Sequence, residues 1–279
     1  MQAKQVQKLT NTLFKLSGVI TLSILIIVVS YILIKGFGVV DFDFIFSNPS
    51  QSGRGGGIWP MILSSLYLLI ITMAIAIPIG VGSAIYMVEY NQNHNLAIVV
   101  RIISQILASI PSIVFGLFGL AFLIFFLKLG WSILTAGFVL ALMSAPTIYQ
   151  VSEISLKSVP DLYKEGCYGI GASKWQCIKS IVLPSALCGI FTGIILALTR
   201  AFSEAAAVMY LVGSSLDIPT SIFDTGRPLP LHLYVLASEG ISMDNAYGTA
   251  FVLLIIVLII TILSNYLISR YSKKMGVLL

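Results

Sequence analysis

Charge is scarce in this sequence. Only 10% of its 279 residues are Asp, Glu, Lys or Arg, where a soluble domain carries about 25%, so there is too little polar surface to dissolve a globule of this size. Cysteine is almost as rare. Cys167, Cys177 and Cys188 show no close metal-ligand spacing and read as reduced thiols with no structural duty. The two histidines, His94 and His232, lie far apart in what read as loops, and neither suggests a metal site. No G-x-x-x-x-G-K-[ST] run occurs anywhere, so the chain lacks the usual cradle for nucleotide phosphates. The glycine run 53–57 around Arg54 has no helix-opening Lys-Ser/Thr after it and reads as a flexible external loop. No internal repeat is evident.

What is present is hydrocarbon. Hydrophobic residues make up 58% of the chain and the mean hydropathy is +1.00. The apolar residues gather into long runs at roughly 16–34, 58–87, 98–127, 131–149, 184–211 and 246–268. Each is long enough to cross about 30 Å of hydrocarbon as a helix, whereas barrel strands would show alternating segments of about ten residues. The expected fold is therefore an all-α integral membrane protein of about six transmembrane helices. The first run lacks a small-residue cleavage site and reads as a retained helix rather than a signal peptide. Pro78 and Pro111 fall inside the second and third runs and predict kinks there. Gly80, Gly82, Gly116, Gly119, Gly189 and Gly193 would allow close helix approach.

The net charge of +5 would suggest nucleic acid if it were clustered, but the cations lie at the ends of the apolar runs. Lys4, Lys8, Lys15, Arg101, Lys157, Lys164, Lys174, Lys179, Arg270, Lys273 and Lys274 fall on one side of an even-spanning topology. Lys35, Arg54, Lys128 and Arg227 fall on the other. The positive-inside rule places the richer side, and with it both termini, in the cytoplasm. Residues 150–183 then form a long inner connection, and residues 212–245 a long outer one with a short amphipathic piece at 229–240.

Within the inner connection, Pro160 and Asp161 make a good helix start, Gly169 and Gly171 interrupt, and Ser173 with Gln176 completes a capping box for a second helix. The expected product is a rigid elbow at the membrane face, suited to passing force to something outside the membrane. Here the chain resembles a known family. Glu165-Gly166-Cys167, then Gly171, then Ile181-x-Leu183-Pro184 follow the spacing of the EAA loop of ABC importer permeases, with Gly166 and Cys167 in place of two alanines. The resemblance implies a type I permease fold and a loop, 157–183, that docks into a groove of a separate cytoplasmic ATPase. ATP and Mg would then belong to that partner, and this chain would carry no cofactor and no catalytic residues. It also implies a second, related permease subunit and an extracytoplasmic binding protein resting on the 36–57 and 212–245 loops.

Between about Gly55 and Arg270 the chain is similar to the PstA branch of phosphate permeases. The similarity is carried by GGIWP at 56–60, IPIGVGSAIYMVEY at 77–90, IPSIVFGLFGL at 110–120 and LPSALCGIFTGIILALTRA at 183–201. On this basis residues 1–57 hold an N-terminal span and an external loop, 58–270 the permease domain, and 271–279 a cytoplasmic tail. Arg200 lies deep in the fifth run, where a charge is costly, and Glu204 is one helical turn on. Two roles are open for them: an intrahelical ion pair, or a path for an oxyanion that the planar guanidinium grips with two bonds. The resemblance favours the phosphate path for Arg200 and Glu204. The alternatives are a permease for another oxyanion such as phosphonate, or a stand-alone secondary transporter. The latter would need coupling-ion sites at mid-membrane, and away from the ends of the runs the sequence offers only Arg200 and Glu204.

Overall fold

A computed structural model describes residues 2–275 and is helical throughout its regular elements. Residues 276–279 of the expected tail lie outside the described residues. In chain order the helices are α1 (Gln2–Phe37), α2 (Phe42–Phe46), α3 (Trp59–Ile85), α4 (His94–Ser109), α5 (Ser112–Gly119) and α6 (Ile133–Lys157). They are followed by α7 (Asp161–Gly169), α8 (Lys174–Cys177), α9 (Leu183–Phe202), α10 (Leu229–Ser238) and α11 (Met243–Met275). π-Helical turns extend α3 through Tyr90 and α5 through Phe126, and another, Ile178–Val182, joins α8 to α9.

Five stretches are long and apolar enough to span: Gln7–Phe37, Trp59–Tyr90, Ile133–Lys157, Lys174–Phe202 and Met243–Arg270. The sixth expected span is a pair of helices, His94–Ser109 and Ser112–Phe126, bent by 94°. The residue before a proline is driven out of the α region: Ile110 is extended, and Pro111 opens a new helix rather than kinking the old one. The pair nevertheless carries the chain across. Gly80 packs on Ile148 and Gly137 on Ile71, so α3 and α6 run in the same direction. The segment between them must therefore return from one end of the bundle to the other.

The centre of the bundle is α6, packed on α3 and α9. Small residues set these approaches. A Cβ on Gly80 would meet Ile148 Cβ at 2.7 Å, one on Gly193 Val151 Cβ at 2.8 Å, and one on Gly189 the Cβ of Ser155 at 2.7 Å. Gly116 and Gly119 are similarly confined, by Ala207 and by Val139 with Leu211. Gly82 is the exception, with nothing within 4 Å, so the packing role expected for it is not realised. α1 touches mainly α11, through Gly36 against Tyr247 and Phe251, and leaves most of its apolar surface outward.

Several boundaries differ from those read in the sequence. α6 continues eight residues past 149 because Gln150 to Lys157 keep the helical period of core residues; Ser152, Glu153, Ser155 and Leu156 are buried. The fifth span ends at Phe202 rather than near 211. Residues 203–228 fold back over the N-terminus of α6: Leu211 and Asp224 carbonyls accept from Ser132 and Ile133 N–H, and Leu211 and Val212 are fully buried.

The glycine run 53–57 is not a loose loop. Gly53, Gly56 and Gly57 take positive φ, and Asn245 Nδ2 donates to the carbonyls of Gly53 and Arg54 at 3.0 and 2.9 Å. His232 lies in helix α10, buried beside Gly53 rather than in a loop. Burial, helped by the nearby Arg227 charge, lowers its pKa to about 4. A histidine held neutral by the fold contributes stability in full above its ordinary pKa of about 6.5, and loses that contribution as pH falls towards 4. The melting temperature should thus drop between pH 7 and 4.5, and His232→Leu should flatten that slope. An unchanged slope in the variant would assign the acid sensitivity elsewhere.

Candidate functional site

The elbow on the 157–183 connection is built much as the local chemistry demands. α7 ends in a Schellman motif: Gly171 takes φ +83°, its N–H donates to the Tyr168 carbonyl at 2.9 Å, and Ala172 N–H reaches back to Cys167 at 3.3 Å. The next helix opens on the expected capping box. Ser173 Oγ accepts from Gln176 N–H and Gln176 Oε1 accepts from Ser173 N–H. Pro184 does not interrupt it. A proline in the first turn after the π turn removes no necessary donor, so Lys174 to Phe202 form one continuous rod. A push on the elbow therefore acts directly on the span that carries Arg200 in its last turn.

Three features clamp the elbow to the C-terminal end of the α3 span. Lys164 Nζ lies 2.8 Å from a Glu89 oxygen and 3.7 Å from Asp161. Burial alone would lower the Lys164 pKa, but the hydrogen bond and charge of Glu89, with Asp161 adding to them, outweigh it and raise the value. Lys174 Nζ sits 5.0 Å over the Tyr90 ring. Beneath them Cys167, Cys177, Val159, Leu156, Val182 and Ala84 form a buried cluster. Cys167 and Cys177 thus have a structural duty after all, as small packed thiols. Glu89 is buried and faces Lys164. The π turn at Tyr86–Tyr90 turns it inward, which nothing in the sequence spacing signalled.

The EAA-like residues divide accordingly. Ile181, Leu183 and Pro184 are half-buried, and Ile181 and Leu183 pack against the cluster. Glu165 and Gly166 are exposed, and the space around Gly166 would accept the alanine it replaces. Cys167, the other replacement, is buried within the cluster. Around them Leu162, Tyr163, Ile170 and Trp175 stand exposed, Ile170 by 85%. That is a patch of apolar surface beyond the span ends, with the form of a docking site.

At the other end of the same rod, Arg200 occupies the last turn of α9 and is exposed. Glu204 does not lie one turn on along the helix, because the helix has ended. Its Oε1 accepts from Ala206 and Ala207 N–H at 3.1 and 3.3 Å, and no ion pair joins it to Arg200 among the described residues. The carboxylate instead shapes the turn into the refolded segment. That segment is seated by the IPSIVFGL stretch, whose Gly116 lets the Ala207 backbone approach within what would be 2.9 Å of a Cβ.

Residues 76–277 match the family model described as binding-protein-dependent transport system inner membrane component. The chain is 34% identical to the probable ABC transporter permease protein YqgI of Bacillus subtilis, over 99% of each chain. It is 31% identical to the phosphate transport system permease protein PstA of Mycobacterium leprae, over 88% of this chain and 82% of that one. Among solved structures, a bacterial alginate ABC transporter in complex with its substrate-bound periplasmic protein matches with a TM-score of 0.66 at 16% identity, covering 92% of this chain and 94% of the other. The chain belongs to the binding-protein-dependent transport system inner membrane components, and is a membrane permease subunit of an ABC importer, not itself catalytic, whose family implies a separate ATPase and a binding protein.

Proposed function

We propose that this chain is the PstA-type permease subunit of an importer for inorganic phosphate, with both termini cytoplasmic. The observation that carries the substrate is Arg200: a guanidinium at the end of the elbow-driven rod, exposed, with the nearest carboxylate in sequence already committed to backbone donors. An unneutralised planar cation there suits a tetrahedral oxyanion. The phosphate name of the Mycobacterium leprae relative supports the same substrate. The exposed face around Glu165 receives the ATPase, which supplies ATP and Mg. A second, related permease packs alongside, and a phosphate-binding protein delivers substrate from outside. The runner-up, another oxyanion such as phosphonate, is separated by assay rather than by geometry.

The test is uptake by vesicles carrying the complete complex, with labelled phosphate and with phosphonate and sulfate as competitors. Phosphate uptake driven by internal ATP supports the reading; uptake of phosphonate alone overturns it. Orientation has its own measurement. On a background without Cys167, Cys177 and Cys188, Thr225→Cys should react with a membrane-impermeant thiol reagent from outside intact cells, and Glu165→Cys only after permeabilisation. Outside labelling at position 165 would invert the topology.

A further inference from the structure

Sequence spacing placed Arg101 and Lys157 merely among cations at helix ends. In the fold they converge. Arg101 on α4 and Lys157 on α6 both contact Glu153, Arg101 at 2.8 Å. Glu153 itself is buried, with 5% exposure. Beside them opens a cavity of about 290 Å³ lined by Arg101, Gln105, Gln150, Glu153, Ile154 and Lys157. The Gln150 amide nitrogen is buried and has no hydrogen-bond partner among the described residues. Two cations against one carboxylate leave a net positive charge, and two glutamine amides add neutral donors. Glu153 and Lys157 stand near the elbow end of α6, where basic side chains reach headgroups and water, so the cavity is open to water or covered by another polypeptide.

Its depth follows from the packing. Gly189 meets Ser155 and Gly193 meets Val151, so α9 runs antiparallel to α6 and Arg200 lies level with Ser144. Glu153 is nine residues further along α6, roughly 14 Å nearer the elbow at 1.5 Å per residue.

We propose that this α4–α6 cavity is a second oxyanion station on the elbow side of Arg200, taking a tetrahedral anion that still carries a proton. Arg101 offers its fork, Lys157 a point charge, and Gln105 and Gln150 amide donors. Glu153 has two roles. With the station empty it neutralises the cations. With the station filled it accepts a hydrogen bond from a P–OH group, which hydrogenphosphate has and sulfate lacks. The inference rests on the phosphate function proposed above.

The test uses the complete complex in vesicles, at matched membrane level and with copurifying ATPase. Arg101→Gln should lower phosphate uptake at least 50-fold while ATP hydrolysis stimulated by loaded binding protein stays within twofold of the parent. Arg101→Lys should recover only part of the uptake. Should Arg101→Gln fail to assemble because the buried Glu153 keeps only Lys157 as its cation, the double variant Arg101→Gln/Glu153→Gln removes that penalty. It should assemble and remain inactive. Lys157→Met, at a half-exposed position, should lower uptake about tenfold. Uptake near the parent level in the double variant, or within twofold in Lys157→Met, would leave only a structural ion-pair latch and overturn the station. If the parent complex moves no phosphate, the proposed function fails and the station with it. If the parent moves phosphate and these variants do too, the station alone fails.

Discussion

Replacing Gly171 by valine should leave the protein in the membrane but abolish both transport and retention of the ATPase. Gly171 is the left-handed residue of the Schellman motif that ends α7, at φ +83°. A Cβ there meets no atom within 4 Å, so the defect arises from backbone conformation and not from crowding. A non-glycine residue in this region costs about 1–2 kcal/mol, and a β-branched one more. The chain can relieve that strain only by releasing the Gly171 and Ala172 amides from Tyr168 and Cys167, which swings α7 away from the Lys164–Glu89 clamp. Gly171→Asn should keep most of the transport, since asparagine tolerates the left-handed region. Gly169→Ala is the control: Gly169 is helical and has open space around its Cβ position. Normal ATPase pull-down and uptake by Gly171→Val would show that the elbow does not couple the two proteins.

The elbow was legible in the sequence because its determinants are local. A proline–aspartate start, a C′ glycine and a Ser-x-x-Gln box each specify a few neighbouring dihedrals, and the same residues make the bonds expected of them. Span number was legible too, since hydrophobic length reports directly on the membrane. The failures are tertiary. Pro111 promised a kink and delivered a 94° turn, because the separated halves each find a surface, α5 against the refolded 203–211 segment and α4 against α6. Arg101 and Lys164 read only as cations at the ends of the runs, and Glu89 and Glu153 carried no signal. The partners Glu89 and Lys164 lie 75 residues apart and Arg101 and Glu153 52, and only the folded bundle joins them. Arg200 and Glu204 have helical spacing on paper. The helix ends between them, since Leu211 and Val212 are better buried beneath α6 than extended into lipid.

Arg200→Gln should lower phosphate uptake about 100-fold while assembly with the ATPase persists. Arg200 stands on the final turn of a continuous rod that begins at the elbow, so a displacement of the elbow is delivered to its guanidinium. Charge-assisted hydrogen bonds contribute roughly 1.5–3 kcal/mol each, which corresponds to about 10–100-fold per lost contact. A simpler role competes: a cation at a helix C-terminus is favoured by the macrodipole. Lysine would satisfy the dipole nearly as well, but cannot present a planar fork to an oxyanion. Arg200→Lys therefore separates the two roles, with uptake near one tenth of the parent for the anion path and near parental for the dipole role. The double variant Arg200→Gln/Glu204→Gln adds a second cut. Glu204 is bonded to Ala206 and Ala207 rather than to Arg200, so neutralising it should rescue nothing, and the double variant should be as inactive as Arg200→Gln. Restored uptake in the double variant would mean that the two charges pair in a state of the transport cycle, and that Arg200 holds its carboxylate rather than the passing phosphate.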